Sequence, residues 1–186
     1  MKTAFLALVA LLAAAAPARA DDWMVSAEGD ATRIALGSLS LHLMARPPAS
    51  PRLRLGVGRV GGALPGLFHR LFDPNEGWQV SEQGGVLEGF LHHREQGSTW
   101  FVGAIARLER WEWRRPELAG SAIGTQVFVM PAVGYRWFPT GQGVFVTPWV
   151  GLGLSVWDSG VGRVGDERYQ PLRWFPLAAV HVGYER

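Results

Sequence analysis

Apolar and polar residues alternate with a period of two through the second half of the chain. From Ile123 to Trp137 the odd positions are Ile123, Thr125, Val127, Val129, Pro131, Val133, Tyr135 and Trp137. The even ones are Gly124, Gln126, Phe128, Met130, Ala132, Gly134 and Arg136. After a Pro- and Gly-marked turn at 139–143, the apolar phase restarts on Val144, Val146, Pro148, Val150, Leu152, Leu154 and Val156. In the last segment Trp174, Pro176, Ala178, Val180, Val182 and Tyr184 share one face. Successive side chains of a strand point to opposite faces, so this period predicts β-strands.

Earlier segments repeat the pattern less cleanly. Trp100, Val102, Ala104, Ala106 and Leu108 alternate with Phe101, Gly103, Ile105, Arg107 and Glu109, and shorter alternations run through Leu53–Val57 and Leu87–Leu91. Between Ile34 and Leu43 the apolar phase slips at Gly37–Ser38. A β-bulge is the first explanation and a tight turn the second. Strands are predicted over 32–44, 52–61, 84–93, 99–110, 123–137, 143–157 and 173–185. Single-chain bacterial barrels have even strand numbers, and the best eighth strand is Trp23–Glu28, turning at Gly29–Asp30.

Length and face composition then decide what surrounds the strands. A tilted strand needs about 9–11 residues to cross a bilayer, whereas strands of soluble sheets usually have about five or six. One face of each long segment is aliphatic, and the other holds Gly, Ala, Ser and single charges. A soluble sandwich or a lipocalin-like barrel would turn the aliphatic face inward. Here the small and polar face suits the narrow interior of a small barrel, with the aliphatic face toward lipid. The expected fold is an all-β, eight-stranded antiparallel up-and-down transmembrane β-barrel with outer-membrane lipid as its surroundings.

The turns fit that scheme. The segments 45–51, 94–98 and 138–142 fall at the end that carries the C-terminus and are short. Those at 62–83, 111–122 and 158–172 fall at the other end and are longer, as expected of periplasmic turns and outer loops. Trp100, Trp137 and Tyr184 are expected in an inner aromatic girdle, with Trp174, Trp111 and Trp113 in an outer one.

The N-terminus changes the charge balance. Lys2, the apolar run Ala4–Ala16 and the small-x-small triplet Ala18-Arg19-Ala20 form a cleavable signal peptide over 1–20. Residues 21–186 then make one exported domain, destined through the periplasm for the outer membrane. Removing Lys2 and Arg19 lowers the 18 basic residues to 16, equal to the 16 acidic ones. A basic surface for nucleic acid is not supported. All remaining fixed cations are arginine, which favours bidentate pairing. There is no cysteine, hence no disulfide framework.

The phase places His42, Arg52, Arg54, Glu88, His92, Arg107, Glu109, Arg136, His181 and Glu185 on lumen faces. Buried unpaired charge is costly, so an interior Arg–Glu network that plugs the barrel is expected. A narrow pore or small-ligand barrel is the alternative. A lipid-modifying enzyme would need a nucleophile and base, and the candidates are His92–His93 with Glu88 or Ser98, and Ser81 with Glu82. Adjacent His92 and His93 face opposite sides, and no Gly-x-Ser-x-Gly elbow is present. No catalytic residue is therefore assigned. The five histidines show no metal-ligand spacing, and no cofactor is expected. Leu64, Leu67, Phe68, Leu71 and Phe72 form a helical stripe in the first long loop, suited to packing on the rim or to a partner or lipid. Asp73-Pro74-Asn75-Glu76-Gly77 is turn chemistry rather than a calcium loop.

Three motifs carry a resemblance: Gly134-Tyr135-Arg136-Trp137-Phe138-Pro139, Thr147-Pro148-Trp149-Val150-Gly151-Leu152-Gly153 and Val180-His181-Val182-Gly183-Tyr184-Glu185. Over about 123–186, and more loosely back to about 31, the chain resembles a family of poorly characterised outer-membrane β-barrel proteins. More broadly it is similar to the small OmpA- and OmpX-type barrels. The resemblance implies an eight-stranded barrel inserted by the outer-membrane assembly machinery, with no agreed activity. Such chains usually end on an aromatic residue, whereas here Tyr184 is followed by Glu185-Arg186.

Overall fold

The computed structural model describes residues 23–63, 75, 77–160 and 162–186; the expected signal peptide and the helical stripe at 64–72 lie outside the described residues. The strands are β1 (Met24–Asp30), β2 (Leu39–Arg46), β3 (Leu53–Ala63), β4 (Gln79–His92), β5 (Thr99–Arg114), β6 (Ala122–Arg136), β7 (Val144–Asp158), β8 (Gly162–Val164), β9 (Glu167–Tyr169) and β10 (Trp174–Glu185). Eight of them close into an antiparallel barrel, and β8 and β9 form a separate hairpin between β7 and β10. Closure is made by β1, which pairs with β2 on one side and with β10 on the other, Ser26 opposite Glu185 and Asp30 opposite His181.

The alternation seen in the sequence sets the two faces. Outside stand Leu55, Val57, Leu87, Leu91, Val102, Leu108, Val133, Val150 and Leu152, all exposed, Leu87 by 63%. So continuous an apolar exterior would be an aggregation surface in water; in a bilayer it faces its proper solvent. Closure removes the sheet edge where β1 meets β10, over Ser26–Asp30 and His181–Glu185, as backbone amides in hydrocarbon require.

The segment expected as one strand over 32–44 is divided. Residues Ala31–Ala35 form a short helix, α1, and β2 begins only at Leu39. The Asp30 carboxylate accepts a hydrogen bond from the Arg33 amide at 3.0 Å, which caps the turn. Gly37 has φ +86°, the left-handed geometry that glycine adopts most easily. The phase slip is thus a turn and not a bulge. It also lets β1 run two residues beyond Glu28. The hairpin β1–β2 is therefore short, and the outer part of β10 has no strand on its β1 side.

A bulge does occur elsewhere. The β6–β7 register shifts between Val127 and Phe128, and beyond it both Val156 and Trp157 are exposed. At the outer end β5 continues to Arg114, so the loop expected at 111–122 is only as long as 115–121. The loop expected at 158–172 folds in its middle into the β8–β9 hairpin.

Candidate functional site in the lumen

The inward face of the barrel carries three groups of ionisable side chains. Nearest the end that holds the C-terminus, Arg54 on β3 makes a bidentate pair with Glu185 on β10, its Nε 3.0 Å from Oε2 and its Nη2 3.1 Å from Oε1. Arg136 on β6 donates to the same Glu185 at 3.1 Å and to Glu28 on β1 at 3.0 Å. Its guanidinium also lies 4.0 Å over the Phe145 ring. His181 continues the chain, with Nδ1 3.5 Å from Glu28 and Nε2 3.9 Å from Asp30. Its ring centroid is 4.8 Å from that of His42.

His42 belongs to a second group. Its Nδ1 contacts Glu88 and its Nε2 lies 2.6 Å from the Ser40 hydroxyl. A third group lies toward the outer end, where Arg33 of α1 pairs with Glu82, Arg107 lies 3.6 Å from Glu82, and Arg107 also pairs with Glu109. The buried charged set comprises Glu28, Asp30, Glu82, Glu88, Glu109 and Glu185 against Arg46, Arg54, Arg107 and Arg136, with Arg33 reaching in from α1. One protonated imidazole would bring these groups to neutrality. Above them Trp78, Val80, Trp111, Trp113, Val164 and Tyr169 form a buried cluster in which Trp113 stacks on Tyr169 at 5.0 Å.

Of the residues assigned to the lumen from sequence, the structure brings His42, Arg54, Glu88, Arg107, Glu109, Arg136, His181 and Glu185 into these groups. His92 is buried against Phe101, at 5.2 Å between centroids, and neither ring nitrogen has a hydrogen-bond partner. Arg52 is different: it sits in the turn before β3, 59% exposed, 4.0 Å from Glu95. Its phase is inward, but the strand has not yet begun there.

Glu28, Asp30, Arg33 and Ser40 were not assigned to the lumen. The signal for the first two was present, since Ser26, Glu28 and Asp30 alternate with Val25, Ala27 and Gly29. The girdle also needs correction. Trp100, Trp137 and Trp174 are exposed, and Tyr184 is half-buried. Trp111 and Trp113 are buried, at 4% and 1%. Because β5 extends past residue 110, its alternation carries both rings inward. Trp23 and Trp157 are exposed instead.

Ser40, His42 and Glu88 stand in the hydroxyl–imidazole–carboxylate order of a hydrolase relay. Ser40 is nevertheless buried. The cavity beside it, bounded by Asp30, Arg33, His42, Arg107, Met130 and Trp149, has a volume of about 20 Å³. That is room for about one water, not for an ester. The arrangement can hold and relay a proton. The other sequence candidates do not assemble either: Ser98 accepts a hydrogen bond from the Phe138 amide at 2.9 Å, and Ser81 faces outward while Glu82 faces Arg33.

A closed eight-stranded barrel with an aliphatic exterior and a charged interior defines an outer-membrane β-barrel protein, and this chain is one. Several solved structures are similar to it in fold. Neisserial surface protein A matches with a TM-score of 0.50 and 12% identity, over 88% of this chain and 95% of that one. A major outer membrane protein from Thermus thermophilus matches at 0.49 and 12%, over 88% and 98%. The N-terminal β-barrel domain of Pseudomonas aeruginosa OprF matches at 0.46 and 10%, over 89% and 98%. No protein-family model and no curated protein matches the sequence.

Proposed function

We propose that the protein is a structural or surface-interaction component of the outer membrane with a plugged lumen: a rigid anchor whose outer strand ends and loops are the contact surface. One observation carries the reading. The lumen interior is occupied by mutually paired charges, and the cavity beside Ser40 and His42 measures only about 20 Å³. A water-filled path would need Arg54, Arg136, Glu28 and Glu185, which meet inside the lumen, to separate. The aromatic cluster of Trp78, Trp111, Trp113 and Tyr169 adds a second obstruction at the outer end.

The test is conductance of the purified, folded protein in a planar bilayer. The expected result is a silent membrane with protein inserted, as verified by heat-modifiable migration on a gel. Reproducible unitary steps from the folded form would overturn the plugged lumen and establish the narrow pore.

A further inference from the structure

We infer that a groove on the lipid-facing side of β3, β4 and β5 binds the phosphorylated headgroup of a membrane lipid through Arg59 and Arg110. The inference rests on the placement of the aliphatic exterior in a bilayer. On three adjacent strands that exterior ends at the same edge: Val57 is followed outward by Arg59, Leu87 by Gly85 and Gln83, and Leu108 by Arg110. The headgroup level therefore begins at these residues.

The groove has a volume of about 560 Å³, and its lining includes Arg59, Gly61, Ser81, Gln83, Arg110 and Glu112. The face beside it is open: a Cβ at Gly85, which is opposite Arg59 in the register, would meet nothing within 4 Å, and one at Gly61 would make only ordinary contact at 3.6 Å. Arg110 lies opposite Gln83, so the two arginines flank β4 from its two neighbours, two residues out of step. Strands spaced about 4.8 Å apart put their backbones roughly 12 Å from one another. Two arginine side chains can span that gap to meet one phosphate, for which the planar guanidinium is the favoured partner.

Charge points to an anion as well. The side chains of Arg59 and Arg110 have no ion pair or hydrogen bond among the described residues, and both residues are exposed. Both acids in the lining are already taken: Glu82 points inward to Arg33 and Arg107, and Glu112 accepts from Arg114 at 2.7 Å and 2.9 Å, acting on Arg110 only at longer range. Bulk water reaches one side of the groove and lipid the other. A phosphate tethered to acyl chains satisfies both, the phosphate meeting the arginines while the chains lie on Val57, Leu87 and Leu108.

The experiment is native mass spectrometry of the delipidated full chain in neutral detergent. It is titrated with dioleoyl phosphatidic acid, dioleoyl phosphatidylcholine or inorganic phosphate. The parent is expected to retain one phosphatidic acid, at least tenfold more tightly than phosphatidylcholine. The double variant Arg59→Gln, Arg110→Gln is expected to lose that preference, while Arg94→Gln, in a turn at the opposite end, keeps it. Glu112→Gln is expected to strengthen retention. An unchanged preference in the double variant, with its heat-modifiable migration intact, would overturn the groove. Equal binding of inorganic phosphate would overturn the lipid as occupant. If the parent itself showed no heat-modifiable form, the membrane placement would fall, and the groove with it.

Discussion

Arg136 holds together more of the interior than any of its neighbours. From β6 it reaches past β7 to Glu185 on β10 and Glu28 on β1, and Glu185 is shared with Arg54. Arg136→Ala would leave two buried carboxylates short of a cation, and we expect a loss of about 3–5 kcal/mol. Urea unfolding of the folded barrel in micelles measures it. Arg52→Ala serves as the internal comparison. Its 4.0 Å contact with Glu95 is exposed, so its loss should change stability by less than about 1 kcal/mol. Equal effects of the two substitutions would mean that the lumen pairs are screened by water and the interior is open.

Prolines mark where the wall is weakest. Trp137 and Val146 exchange both of their backbone hydrogen bonds, so residues 135, 133 and 131 of β6 and 148, 150 and 152 of β7 direct their backbone groups toward the same seam. Val133 stands opposite Val150, which places Pro148 against Tyr135 and Pro131 against Leu152. Those are two of the pairings missing from the ladder. Proline has no amide hydrogen, so the carbonyls of Tyr135 and Leu152 lose their donors. Pro176 behaves differently, because its absent amide faces the part of β10 beyond the end of β1, where the Val180 amide bonds instead to the Thr32 hydroxyl at 3.0 Å. We expect the Tyr135 and Leu152 amides to exchange with deuterium faster than amides central to β4 and β5. Pro131→Val and Pro148→Val should each stabilise the barrel by about 1 kcal/mol. Slower exchange at the seam than in β4–β5 would show that the two prolines are accommodated without cost.

At the scale of the whole molecule, barrel closure and the outer hairpin are separable. The β8–β9 hairpin touches the barrel through Tyr169 on Trp113 and Trp78 and through Val164 in the buried cluster, and it pairs with no barrel strand. Replacing residues 160–170 with a short Gly-Ser linker should leave heat-modifiable migration intact and shift tryptophan fluorescence to the red as Trp113 becomes exposed. A chain that no longer folds would make the hairpin part of the closure.

What the sequence determined by itself was the alternation, and with it the strands, the two faces and the solvent on each. A side chain's face follows from the parity of its position, so Arg54, Arg107 and Arg136 could be assigned to the lumen from sequence alone. Parity fails where backbone geometry resets it, and those resets are tertiary. The phase slip at Gly37 suggests a bulge before a turn, and the Asp30 cap on Arg33 decides for the turn. Clean alternation ends at residue 110 and leaves Trp111 and Trp113 for the outer girdle; pairing with β4 and β6 carries the strand to Arg114 and turns both rings inward. The pairing of charges was likewise beyond the sequence, because it depends on barrel closure. Arg136 meets Glu28 across 108 positions of chain only because β1 closes on β10. The edge at which Arg59 and Arg110 converge was equally hidden, since neighbours on adjacent strands are fixed by register, and register is set when the sheet closes.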